Sequence, residues 1–151
     1  METRFHGITS LALVLAAIVL AAAGMFRTSW ALGFVYVAIC AAASIAILYA
    51  YCAKCTCRRH CGHVFPGKIV MIFKSRPSGP YTAVELMATG LALLLLIGFP
   101  QAWLWKYTAL LIAFWVMITL AVVQILTFVC RACDNRYCPA RNLQGVENRS
   151  G

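Results

Sequence analysis

Four long apolar runs, broken by two short connections and one long polar loop, dominate the pattern of this chain. They extend from about Ile8 to Met25, Trp30 to Tyr51, Ala83 to Phe99 and Trp103 to Val129. A helix rises about 1.5 Å per residue and the hydrocarbon of a bilayer is roughly 30 Å thick, so each run predicts one crossing. The third run is at the short limit and is expected to stand nearly upright, whereas the fourth exceeds the membrane and would carry its last turn into water. The connections at 26–29 and 100–102 are so short that the helices they join must be antiparallel neighbours. The pattern therefore predicts an all-α integral membrane protein: an up-down four-helix transmembrane bundle forming a single membrane domain over residues 1–151.

Local signals refine this frame. Arg4 ahead of an apolar stretch that ends in Ala21, Ala22 and Ala23 is also the pattern of a signal peptide. A second apolar run follows almost at once, which makes a helical hairpin the simpler expectation. Thr82 followed three residues later by Glu85, with Pro80 upstream, reads as a capping box at the start of the third helix. Glu85 is accordingly expected to be a helix cap and not a proton carrier. Trp30, Trp103, Trp105 and Tyr107 fall where an aromatic belt meets the membrane surface. Ala16, Ala17, Ala38 and Ala42 are expected to allow close helix packing, and Cys40 to act as a small apolar residue.

Within the runs the polar residues are Tyr36, Ser44, Thr89, Thr108, Thr119, Gln124 and Thr127, with no acid, base or histidine at mid-depth. Intramembrane ionisable groups mark ion and proton paths. Their absence from the runs argues against a pump or a transporter of charged substrates. His6, His60 and His63 all lie outside the runs, which argues against haem held between helices.

Composition agrees with a bilayer location: 63% of the residues are hydrophobic and 11% charged, more apolar surface than a soluble domain of this size buries. Of the thirteen Lys and Arg residues, Arg4, six in the loop 52–81 and four in the tail 130–151 share one face. Only Arg27 and Lys106 lie on the other. Basic residues favour the cytoplasmic side of short loops, so both termini and the middle loop are expected in the cytoplasm of a multi-pass plasma (inner) membrane protein. The same bias accounts for the net charge of +9 without nucleic acid, leaving the lipid bilayer as the expected partner.

The candidate chemistry is in the cysteines. Seven of the eight form two clusters, Cys52, Cys55, Cys57, Cys61 and Cys130, Cys133, Cys138, and each cluster begins where an apolar run stops. A reducing cytoplasm disfavours disulfides, which makes metal the leading reading. Cys52 to Cys55 and Cys130 to Cys133 are both C-x2-C, the chelating bite of zinc knuckles, placed at the ends of two helices that finish on one face. One tetrahedral ion bridging them is expected, with Cys57, Cys61, Cys138 and His63 as further donors; His63 is preferred to His60 because the Pro66–Gly67 bend follows it. Zinc in a structural role is the first expectation and an iron-sulfur cluster the alternative, although C-x2-C-x-C-x3-C departs from ferredoxin spacing. Redox or regulatory thiols and chance enrichment are the remaining readings. Arg58, Arg59, Arg131 and Arg136, interleaved with the cysteines, would offset thiolate charge or serve only as positive-inside residues.

A loop of about 30 residues is long for a structureless connection. Its apolar stretch from Ile69 to Phe73 is expected to lie at the interface or to form a short strand, beside a small cysteine-rich cytoplasmic cap. The chain superficially resembles small four-helix membrane thiol oxidoreductases of the disulfide-forming quinone-reductase type. Their working cysteines lie on the oxidising outer face, where this chain has none, so the resemblance fails on topology. Neither Asp134 nor Glu147 makes a convincing general base, so an enzyme is not the favoured class. The expectation is a scaffold or subunit of a membrane complex, contacting other membrane or cytoplasmic proteins. The alternative is an iron-sulfur subunit passing electrons from a cytoplasmic donor to the quinone pool.

Overall fold

A computed structural model describes residues 2–56, 69–70, 77–131, 133, 135, 137 and 138. All of the regular structure among them is helical: α1 Glu2–Thr28, α2 Trp30–Ala50, α3 Ala83–Gly98, α4 Gln101–Leu104 and α5 Thr108–Gln124. A 3₁₀ turn, Cys52–Lys54, follows α2, and a π-helical segment, Ile125–Cys130, prolongs α5. Four stretches are long and apolar enough to cross a membrane: Arg4–Thr28, Trp30–Lys54, Ala83–Leu104 and Thr108–Cys130. The chain is thus compatible with a multi-pass membrane protein.

Each boundary has a local cause. Ser29 alone separates α1 from α2, because its extended backbone (φ −163°, ψ 137°) turns the chain within one residue. The Thr82 hydroxyl accepts from the Glu85 amide while the Glu85 carboxylate accepts from the Thr82 amide, so the capping box at the start of α3 is complete. The expected break at 100–102 falls instead at 105–107. Pro100 adopts helical dihedrals (φ −69°, ψ −18°) and its carbonyl accepts from the Trp103 and Leu104 amides, so it starts α4. A helix start needs no proline N–H, which is why a residue that ends one helix can open the next.

The first helix also departs from expectation, beginning at Glu2 well ahead of its apolar run. His6, expected outside the spans, therefore falls within the first membrane-length helix, its ring stacked on Phe128 at 3.9 Å. Nearby, the Thr9 hydroxyl bonds Gln124 Oε1 at 2.9 Å, so the start of α1 lies against the end of α5.

α1 packs most extensively on α5, α2 on α3, and α1 on α2, giving the spatial order α5, α1, α2, α3. The short α4 touches α1, α3 and α5. The larger core joins Ala17, Ala21 and Met25 of α1 to Tyr36 of α2, Leu104 of α4, and Phe114 and Ile118 of α5. A smaller one joins Ala43 to Ala92 and Leu96, and there the Tyr36 hydroxyl donates to the Leu96 carbonyl at 3.0 Å. Close packing is thus carried by Ala17, Ala21, Ala43 and Ala92, whereas Ala38 and Ala42, expected in that role, face outward. Val84, Met87, Leu94, Trp30 and Phe34 are each more than 60% exposed. Water would penalise so much bare apolar surface, whereas lipid tails are as apolar as the side chains themselves.

Candidate thiol site

The first C-x2-C lies at the end of α2. Cys52 opens the 3₁₀ turn and Cys55 closes it, its amide donating to the Cys52 carbonyl at 3.2 Å. The second repeats the arrangement at the end of the π segment, where the Cys133 amide donates to the Cys130 carbonyl at 3.2 Å. The second and fourth apolar runs therefore end in the same tight turn, with two thiols three residues apart.

Contacts between distant parts of the chain bring the first turn against the residues that follow the second. Asn135, 1% exposed, donates through Nδ2 to Cys55 Sγ at 3.4 Å and to the Tyr81 hydroxyl at 3.3 Å. Its Oδ1 accepts from the Thr56 hydroxyl at 3.2 Å and the Tyr137 amide at 3.1 Å. The backbone carbonyl of Asn135 accepts from the Cys138 amide at 3.3 Å. Cys138 Sγ in turn lies 3.1 Å from the Tyr51 hydroxyl. Tyr51 and Tyr81 stack with ring centroids 4.8 Å apart, and the Tyr81 hydroxyl donates to the Tyr51 carbonyl at 3.3 Å.

An ion pair holds the first turn from below. Lys54 Nζ donates to both Glu85 carboxylate oxygens, at 3.0 and 2.8 Å, and the same carboxylate serves the capping box. The Gly79 amide adds a bond to the Lys54 carbonyl at 3.4 Å. Glu85 acts as the cap the sequence predicts and also as the counterion of a lysine otherwise read as a positive-inside residue.

The electrostatics favour neutrality on the Tyr81 hydroxyl. Burial pushes the Tyr81 phenol above its ordinary value of 10.0, and the charge of a neighbouring Cys55 thiolate pushes it further. No disulfide joins two of the described cysteines. Cys52, Cys55, Cys130 and Cys133 are partly buried and Cys138 is buried. Among the described residues no three His, Cys, Asp or Glu side chains are grouped so as to hold a metal ion. Cys57, Cys61 and His63, with Arg58, Arg59, Asp134 and Arg136, lie outside the described residues, and Arg131 is exposed. Of the apolar stretch in the middle loop only Ile69 and Val70 are described; both are helical, not extended, and Val70 is wholly buried.

Sequence reasoning missed Asn135, Tyr51, Tyr81 and Thr56 as members of this neighbourhood. A signal was present for Asn135, which sits inside a C-x2-C-x-N-x2-C spacing, a place where a side chain that closes a turn can also reach the thiols. Comparison with protein-family models, curated proteins and solved structures gives no match to this chain.

Proposed function

We propose that this protein is a membrane scaffold or complex subunit: an up-down four-helix bundle whose loop 52–81 and tail 130–151 form a cytoplasmic cap held by a metal ion. Residues 1–151 make one membrane domain in the plasma (inner) membrane, with both termini on the basic, cytoplasmic side. The observation that carries the reading is the bridge from Asn135 to Cys55, together with that from Tyr51 to Cys138, because these contacts join loop and tail cysteines otherwise far apart in sequence.

The donor set fits zinc in kind. Soft thiolates select zinc or iron-sulfur clusters over hard oxygen-seeking ions. Cys52, Cys55, Cys130, Cys133 and Cys138 would supply the ligands, with Cys57, Cys61 and His63 as further donors. A structural zinc supplies folding energy rather than chemistry, on the order of 10 kcal/mol in small zinc-binding peptides. In this chain that energy would clamp the end of α2 to the end of α5, two helices that make no direct major contact. The outward apolar faces meet lipid, and the basic cap is the surface offered to other subunits.

Metal analysis and a visible spectrum of the detergent-purified protein test this. A colourless preparation with zinc bound to each chain is the expected result. Iron with acid-labile sulfide and a brown colour would replace the scaffold with electron transfer. A metal-free preparation with full helicity and stability would defeat both.

A further inference from the structure

We infer that Asn135 and Tyr51 are positioning residues of the thiol site, donating N–H···S and O–H···S hydrogen bonds that orient Cys55 and Cys138 and draw charge from their sulfurs. This rests on the metal-site reading above and adds the residues that would tune it.

The argument starts from the valences of a buried amide. A primary amide has two N–H donors and two acceptor sites on oxygen, and Asn135 uses all four: Cys55 and Tyr81 on nitrogen, Thr56 and the Tyr137 amide on oxygen. The flipped amide would set its nitrogen against the Tyr137 N–H, donor against donor. Its oxygen would face Cys55, where a thiolate offers no proton. Only one orientation satisfies every partner, and it points N–H at sulfur.

Tyr51 is placed by the same logic. A metal-bound Cys138 has no proton to give, so across the 3.1 Å contact the phenol must be the donor. Tyr81 completes the set: it accepts from Asn135 and donates to the Tyr51 carbonyl, while its ring stacks on that of Tyr51. A continuous chain of bonds and stacking thus runs from Cys55 through Asn135, Tyr81 and Tyr51 to Cys138, joining one thiol of the loop to one of the tail. Four thiolates around a divalent ion leave a net charge near −2, and donors aimed at sulfur stabilise that charge and hold the ligand rotamers.

The test uses the full chain in detergent, loaded with zinc or with cobalt(II) as a spectroscopic substitute. Tyr51→Phe removes a single hydroxyl, and Asn135→Asp keeps shape but replaces the donor. Tyr51→Phe and Asn135→Asp are expected to keep wild-type helicity, to lose zinc to a chelator about 10- to 100-fold more readily, and to shift the sulfur-to-cobalt charge-transfer band. Should the wild type carry iron and sulfide instead, the same two variants are expected to lower the cluster's reduction potential. Loaded variants with the wild-type band, potential and chelator resistance would overturn the positioning role while leaving the metal site standing. A wild type that takes up no metal would sink the underlying reading and this inference with it.

Discussion

Gly33, at the start of α2, lies against the ring of Phe26, and a methyl group built there would run into the ring carbons. Phe26 is also packed edge-to-face on Trp30 and Phe34, so it has little room to retreat. Gly33→Ala is expected to destabilise the protein by about 1–3 kcal/mol, seen as a lower unfolding temperature in detergent. Gly90 is the control: an added Cβ there meets nothing, and alanine is the better helix former, so Gly90→Ala should hold or raise that temperature. Equal stability of the two variants would contradict the packing. At this scale some chemistry is legible from neighbours in sequence. Thr82 and Glu85 announce a capping box because its partners are three residues apart. Lys54 as the partner of Glu85, and Asn135 as the partner of Cys55, announce nothing, because the contacts span 31 and 80 positions.

Among the elements, the π segment Ile125–Cys130 has the most consequence. A π turn accommodates one residue more than an α turn, and here it sits immediately before the second C-x2-C. Its presence therefore sets the direction in which Cys130 and Cys133 leave the helix. Deleting Leu126 would return the segment to α register and rotate everything after it by about 100° around the axis. On the proposed metal site, unchanged far-UV helicity with loss of metal binding is the expected outcome; a deletion protein that binds metal as the wild type does would show that the thiol site does not depend on this register. Apolar runs gave no hint of the π turn, since its residues are as hydrophobic as those of an α-helix. Pro100 misled for a related reason: proline is compatible with both the end and the beginning of a helix, and the bonds from Trp103 and Leu104 to its carbonyl select the second.

For the molecule as a whole, the lateral order α5, α1, α2, α3 sets α1 between the helices that carry the two C-x2-C turns, and the bonds of Asn135 and Tyr51 span that gap from the first turn to the residues that follow the second. The proposed topology then puts both on the cytoplasmic side. After chelation in sealed vesicles, an impermeant thiol reagent is expected to label Cys52, Cys55, Cys130, Cys133 and Cys138 only from the cytoplasmic face. Labelling from the opposite face would overturn the assignment of sides.

Number and approximate extent of the membrane-length helices, the single-residue-scale capping box and the placement of both cysteine pairs at helix ends were all legible in the chain of letters. Each depends on hydrophobic burial or hydrogen bonding among residues within a few positions of one another. Packing alone brought His6 onto Phe128, turned Ala38 and Ala42 outward, and set Asn135 between Cys55, Tyr81 and Thr56. Those relations depend on how helices rotate and stack against one another, and nearly uniform apolar surfaces carry too little contrast to specify a rotation in advance. The two thiol turns were therefore visible as motifs, and the fold brought the first of them to the residues that follow the second.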